Sequence, residues 1–169
     1  MPSGKVHDKI AVISIIPVFF AGYVLLKFNL ISSLVLTFCI LFSQLMFGPD
    51  LDAKSTQYKR WGIIKWIWLP YRKIFRHRSK FSHGLLLGPA LRCVYLICAV
   101  LLVFIGINFI VYNYFGINPA LRMINAGRHG IYCLQLVEPY IILVLSGFFI
   151  GAAIHTLTDK ITSFFKNIL

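Results

Sequence analysis

The chain has 169 residues, of which 59% are hydrophobic and only 13% charged, and its mean hydropathy is +0.80. Such a composition excludes a soluble globular domain and implies an all-α integral membrane protein. The formal charge of +12 comes from 17 Lys and Arg against five Asp and Glu, so each carboxylate is a rare residue with a position to explain.

Crossing roughly 30 Å of hydrocarbon takes about twenty apolar residues, and four runs reach or approach that length, at about 9–29, 31–47, 88–111 and 138–157. Lys5 and Lys9 precede the first run as they would in a signal peptide. No small-x-small cleavage site follows cleanly, however, and the run extends to span length, so the first helix is expected to stay. Lys27 and Asn29 interrupt its join to the second run, which predicts a helical hairpin with a turn near 27–32.

The segment 48–87 carries Lys54, Lys59, Arg60, Lys65, Arg72, Lys73, Arg76, Arg78 and Lys80, whereas Lys27 alone lies in the first turn and Arg122 and Arg128 alone lie between the third and fourth runs. The positive-inside rule then puts both termini and the basic segment in the cytoplasm. Within "RWGIIKWIWLPYRKIFRHR", Trp61, Ile64, Trp68, Tyr71 and Phe75 recur at helical spacing, with Lys65, Arg72 and Arg76 on another face. That predicts an amphipathic interfacial segment, aromatic rings among the headgroups and cations toward anionic lipid, bent or broken at Pro70. Lipid explains such a stretch better than nucleic acid does. Cys39, Cys93, Cys98 and Cys133 lack paired spacing and read as packed hydrophobes.

Five histidines and five carboxylates exist, and all but His129 and Glu138 fall into pairs: His7 with Asp8, Asp50 with Asp52, His77 with His83, and His155 with Asp159. Under the topology above, every pair sits at the cytoplasmic ends of the spans, while the outer loop, about 112–137, holds only His129. His155 and Asp159 are four apart and share a helix face. Asp50 and Asp52 follow the helix-ending Gly48 and Pro49, and Ser79 and Ser82 are placed to orient the nearby histidines.

Imidazole and carboxylate without thiolate suit zinc first, with manganese or iron as alternatives. One structural zinc needs four ligands, so the surplus of candidates points to two ions, or to one ion with an acid–base group. Arg76, Arg78 and Lys80 are placed to receive an anionic substrate.

The strings "MPSGKVHD", "LMFGPDLD", "YKRWG", "WIWLPYRK", "HRSKFSHG" and "HTLTD" together resemble an uncharacterised family of bacterial metal-binding membrane proteins. That family is similar to the predicted membrane-bound metal-dependent hydrolases, themselves distantly similar to zinc phospholipase C and related nucleases. The resemblance covers nearly the whole chain and implies that His7, Asp50, Asp52, His77, His83, His155 and Asp159 bind metal. The chain departs from the hydrolase pattern at Val6-His7, where the pattern has Thr-His, and at Gly84, where it has Ser. His77 and His83 also stand one residue further apart than in the pattern.

The leading expectation is hydrolysis of a phosphoester in a lipid or lipid-linked substrate, with whichever of Asp50 or Asp52 is not fully committed to metal acting as base. The alternative is a non-enzymatic metal site, structural or sensing, that pins helix ends together and offers the basic loop to a partner. A transporter is poorly supported, since no polar residues line up through the spans beyond scattered Ser, Thr and Gln44.

Overall fold

The computed structural model describes residues 4–75, 79–116 and 127–168, and of Lys80, 127–137 and 166–168 the backbone alone. These residues are helical, without a strand among them. Four stretches are long and apolar enough to cross a membrane: Gly4–Leu25, Leu30–Asp52, Leu87–Phe115 and Glu138–Phe165.

Helix α1 (Gly4–Leu25) runs through Pro17 without ending. It turns back at Lys27 and Phe28, both in the left-handed region at φ 53° and 63°, where a side chain costs roughly 1–2 kcal/mol. Asn29 then caps α2 (Leu30–Leu45), its side chain accepting the Ser32 N–H at 2.9 Å. The antiparallel hairpin follows, and it brings the start of α1 beside the end of α2.

Beyond α2 the chain makes a 3-10 turn at Pro49–Asp52, a short helix α3 (Thr56–Arg60), a 3-10 stretch Gly62–Trp68 and helix α4 (Leu69–Ile74). The loose carbonyls at the end of α2 are closed by side chains from this segment. Gln57 donates to Gln44 O (2.7 Å), Arg60 to Leu45 O (2.9 Å) and Trp61 to Met46 O (2.8 Å).

The interfacial stripe expected over 61–75 takes a different form. Trp68 and Tyr71 are 0% exposed and pack with Phe47, Leu51 and Tyr58 as a buried core, against which Trp61 and Phe75 lean. Arg72 stacks over the Tyr58 ring at 4.6 Å instead of reaching outward. The cause is the period: at three residues per turn, a helical stripe no longer holds together. Ile63, Ile64 and Trp66 consequently face out while Trp68 faces in. Pro70 opens α4, so the segment does break there.

After α5 (Lys80–His83) come α6 (Leu87–Phe115) and α7 (Gly127–Ile168). Helix α7 packs on α2 through Gly147 and Gly151. A Cβ on Gly147 would stand 2.5 Å from Cys39 Cβ, and one on Gly151 would stand 2.5 Å from Ile40 O. Small residues four apart let two helix backbones approach this closely, and Ser43 adds a hydrogen bond to Phe148 O at 2.8 Å.

Candidate metal centre

Continuing the four-residue step along α7 leads from Gly147 and Gly151 to His155 and Asp159. The stripe that seats α7 on α2 therefore ends in two side chains of metal-ligating type, past the end of α2. There the 3-10 turn presents Asp50. His7 arrives from the second turn of α1, and His83 closes α5. Four separate stretches converge at one end of the helices.

His7 Nε2 lies 3.1 Å from Asp159 Oδ1, and its ring stacks on His155 at 3.9 Å between centroids. His155 Nε2 stands 3.5 Å from Asp50 Oδ2 and 3.8 Å from Asp159 Oδ2, while His83 Nε2 stands 3.6 Å from Asp50 Oδ1. Two groups of donor atoms form, His7 with His155 and Asp159, and Asp50 with His83 and Asp159, the atoms of each lying within 4.8 Å of one another. Asp159 belongs to both.

The separations of 3.5 to 3.8 Å are too long for hydrogen bonds. Donors about 2.0–2.2 Å from a shared tetrahedral ion stand ~3.3–3.6 Å apart, which is close to the spacing found. His155, 3% exposed, has its Nε2 buried without a hydrogen-bond partner among the described residues, and so does Asp159 Oδ2. Leaving such groups unsatisfied costs about 1–3 kcal/mol each. A cation satisfies both, so the donor set fits a divalent ion of the zinc, manganese or iron kind.

Behind the donors lie supporting contacts. His83 Nδ1 faces Ser82 Oγ at 3.1 Å and Asp52 Oδ2 at 3.7 Å, so Asp52 addresses the ring nitrogen opposite the one that faces Asp50. Its carboxylate is fully buried. Arg92, 1% exposed at the start of α6, donates to Ser82 O at 2.9 Å and adds its charge beside Asp52 and Tyr71. The Gln57 amide lies 3.4 Å from His155 Nδ1. Asp8 turns instead to Arg60, at 2.6 Å.

His77, Arg76 and Arg78 lie outside the described residues, and of Lys80 only the backbone is described. Gln57, Arg60, Tyr71 and Arg92 enter the site without having been singled out from the sequence as site residues. For Arg92 a signal existed, a cation inside an apolar run. Gln57 and Arg60 carried none, because their roles depend on where α2 ends.

A cavity of about 160 Å³ opens against the centre, lined by His7, Asp50 and His155 together with Thr56, Gln57 and Arg60. The fold and site define an all-helical protein with an imidazole–carboxylate metal centre at one end of its helices. The chain belongs to the uncharacterized metal-binding protein family DUF2227, which it matches over residues 2–169. No curated protein and no solved structure matches it.

Proposed function

We propose that this chain is an integral membrane protein, N- and C-termini cytoplasmic, whose metal centre hydrolyses a phosphoester in a lipid or lipid-linked substrate. The observation carrying this reading is the cavity beside the donors. A structural site closes its coordination with protein ligands, whereas a catalytic one keeps a face open. A divalent cation held by His7, Asp50, His83, His155 and Asp159 would supply Lewis-acid polarisation and activation of water. Zinc is the preferred ion, and the sharing of Asp159 between two donor groups favours a pair of ions.

The chain's own residues divide the remaining work. Asp50 borders the cavity and Asp52 does not, so Asp50 is a donor that also meets the substrate space, while Asp52 orients His83. Arg76, Arg78 and Lys80 adjoin α5 in the sequence and add positive potential for an anionic headgroup. Similarity to the predicted membrane-bound hydrolases supports the same chemistry by analogy.

The test is metal content by plasma mass spectrometry, with phosphatase and phosphodiesterase turnover in detergent, for the wild type, Asp50→Ala and His155→Ala. Both variants should lose metal and turnover together. Full turnover in either variant refutes the hydrolase reading. Metal present without any turnover, together with a large loss of thermal stability on chelation, would favour the structural alternative, which the convergence of four elements on the site supports.

A further inference from the structure

The polar cavity does not stand alone. Asp8 lines it and also borders a shallow apolar groove of about 280 Å³ on α1, together with Lys9, Val12 and Ile13. Residues 8 and 12, and 9 and 13, are each one helical turn apart, so the groove follows the helix axis. The cavity, which holds a cation beside the metal centre, thus shares Asp8 as a common border with an apolar groove on a helix long enough to span a membrane. One molecule with an anionic end and a hydrocarbon end matches both.

Arg60 supplies the anion-binding element. Its Nη2 donates to Asp8 and its Nη1 to Leu45 O, at 2.6 and 2.9 Å. These two contacts fix the guanidinium plane and leave three of its five N–H groups available. Asp50 and His155 line the same cavity, and Thr56 adds a hydroxyl. The cavity of about 160 Å³ has room for a phosphoryl group. A phosphomonoester offers these groups three terminal oxygens and up to two charges, whereas a phosphodiester offers two oxygens and one charge.

We propose that the cavity and the α1 groove together bind a lipid phosphomonoester, its phosphoryl group between Arg60 and the metal centre and its acyl chain along Val12 and Ile13. This assignment rests on the phosphoester reading above and narrows it to one substrate class. Asp8 then acts as the competing carboxylate that the phosphoryl group displaces from Arg60.

The experiment measures binding calorimetrically to the detergent-purified, metal-analysed full chain, with three probes: dihexanoyl phosphatidate, inorganic phosphate and dihexanoyl phosphatidylglycerol. Wild type should bind phosphatidate about tenfold or more tightly than either of the others, since each lacks one half of the match. Arg60→Ala should lose about tenfold for phosphatidate and phosphate with metal content unchanged. Ile13→Trp, which fills the groove, should weaken phosphatidate alone. Asp8→Asn should tighten both anions, and this reports even where Arg60→Ala fails to fold. Equal binding of phosphate and phosphatidate, or undiminished binding in Arg60→Ala, or no gain in Asp8→Asn, overturns the assignment. Metal bound together with Arg60-independent binding removes this site and leaves the metal-hydrolase reading standing. Arg60-dependent phosphatidate binding to a chain that holds no metal does the reverse.

Discussion

Substituting Gly151 with alanine tests whether helix packing sets the geometry of the metal centre. The new Cβ would lie 2.5 Å from Ile40 O and 2.6 Å from Ser43 Cβ. The first of these is backbone, which has no rotamer to yield. Ordinary van der Waals contact begins near 3.4 Å, so α7 has to withdraw from α2 by up to about 1 Å, an overpacking penalty of ~1–3 kcal/mol. His155 is one turn further along the same face and moves with it. Its Nε2 now stands 3.5 Å from Asp50 Oδ2, and metal sites tolerate displacements of about 0.2 Å. The expected result is a lower Tm and metal affinity reduced by about tenfold or more. Melting in detergent and competition with a chromophoric chelator measure the two. Gly106→Ala on α6, with nothing within 4 Å of its added Cβ, is the control. Wild-type metal affinity in Gly151→Ala would refute the coupling of packing to coordination.

Other expectations follow from the surroundings of the donors. Asp52→Asn should keep the metal but bind it about 10–100-fold more weakly, because it removes a buried carboxylate on the side of the His83 ring away from Asp50; titration with zinc separates this from His155→Ala, which should abolish binding. Arg92→Met should lower stability by about 1–3 kcal/mol, since it removes the donor that meets the Ser82 carbonyl, and a denaturant titration in mixed micelles reads this. Burial pushes the Tyr71 phenol above its ordinary value, Asp52 adding and Arg92 opposing. The folded state thus resists its ionisation, and stability should hold below about pH 10 and fall as pH rises above it. Tyr71→Phe should flatten that loss in alkaline melts.

What the sequence conveyed was mostly topological. Knowing that His7 opens one span, that Asp50 follows the second and that His155 and Asp159 close the last is enough to place them at one end. The stripe from Gly147 through Gly151 to His155 and Asp159 was equally present, yet its meaning needs a partner helix, and periodicity does not name one. The aromatic segment was less readable. Its spacing of three and four fits a helix on a lipid surface, and only the 3-10 geometry after Gly62 turns Trp68 inward to Phe47 and Tyr71. Nor does spacing alone separate Asp52 from Asp50, since residues two apart in an extended chain share a side, whereas in a 3-10 turn they point apart. Gln57 and Arg60 were hidden because a side chain that closes carbonyls thirteen or fifteen positions earlier has no local signature.

Helix α6 is held to the rest of the molecule unevenly. Its buried residues are Gly88, Pro89 and Arg92, all in the first two turns; Tyr95 and Leu96 lean on the aromatic core, and from Ile97 to Phe115 most of its large apolar side chains are exposed. Inheritance should treat the two ends differently. Over most of α6, drift among Leu, Ile, Val and Phe is close to neutral, since any of them presents the same hydrocarbon. At Gly88 and Arg92, where the helix meets the Ser82 carbonyl, a single exchange reaches His83.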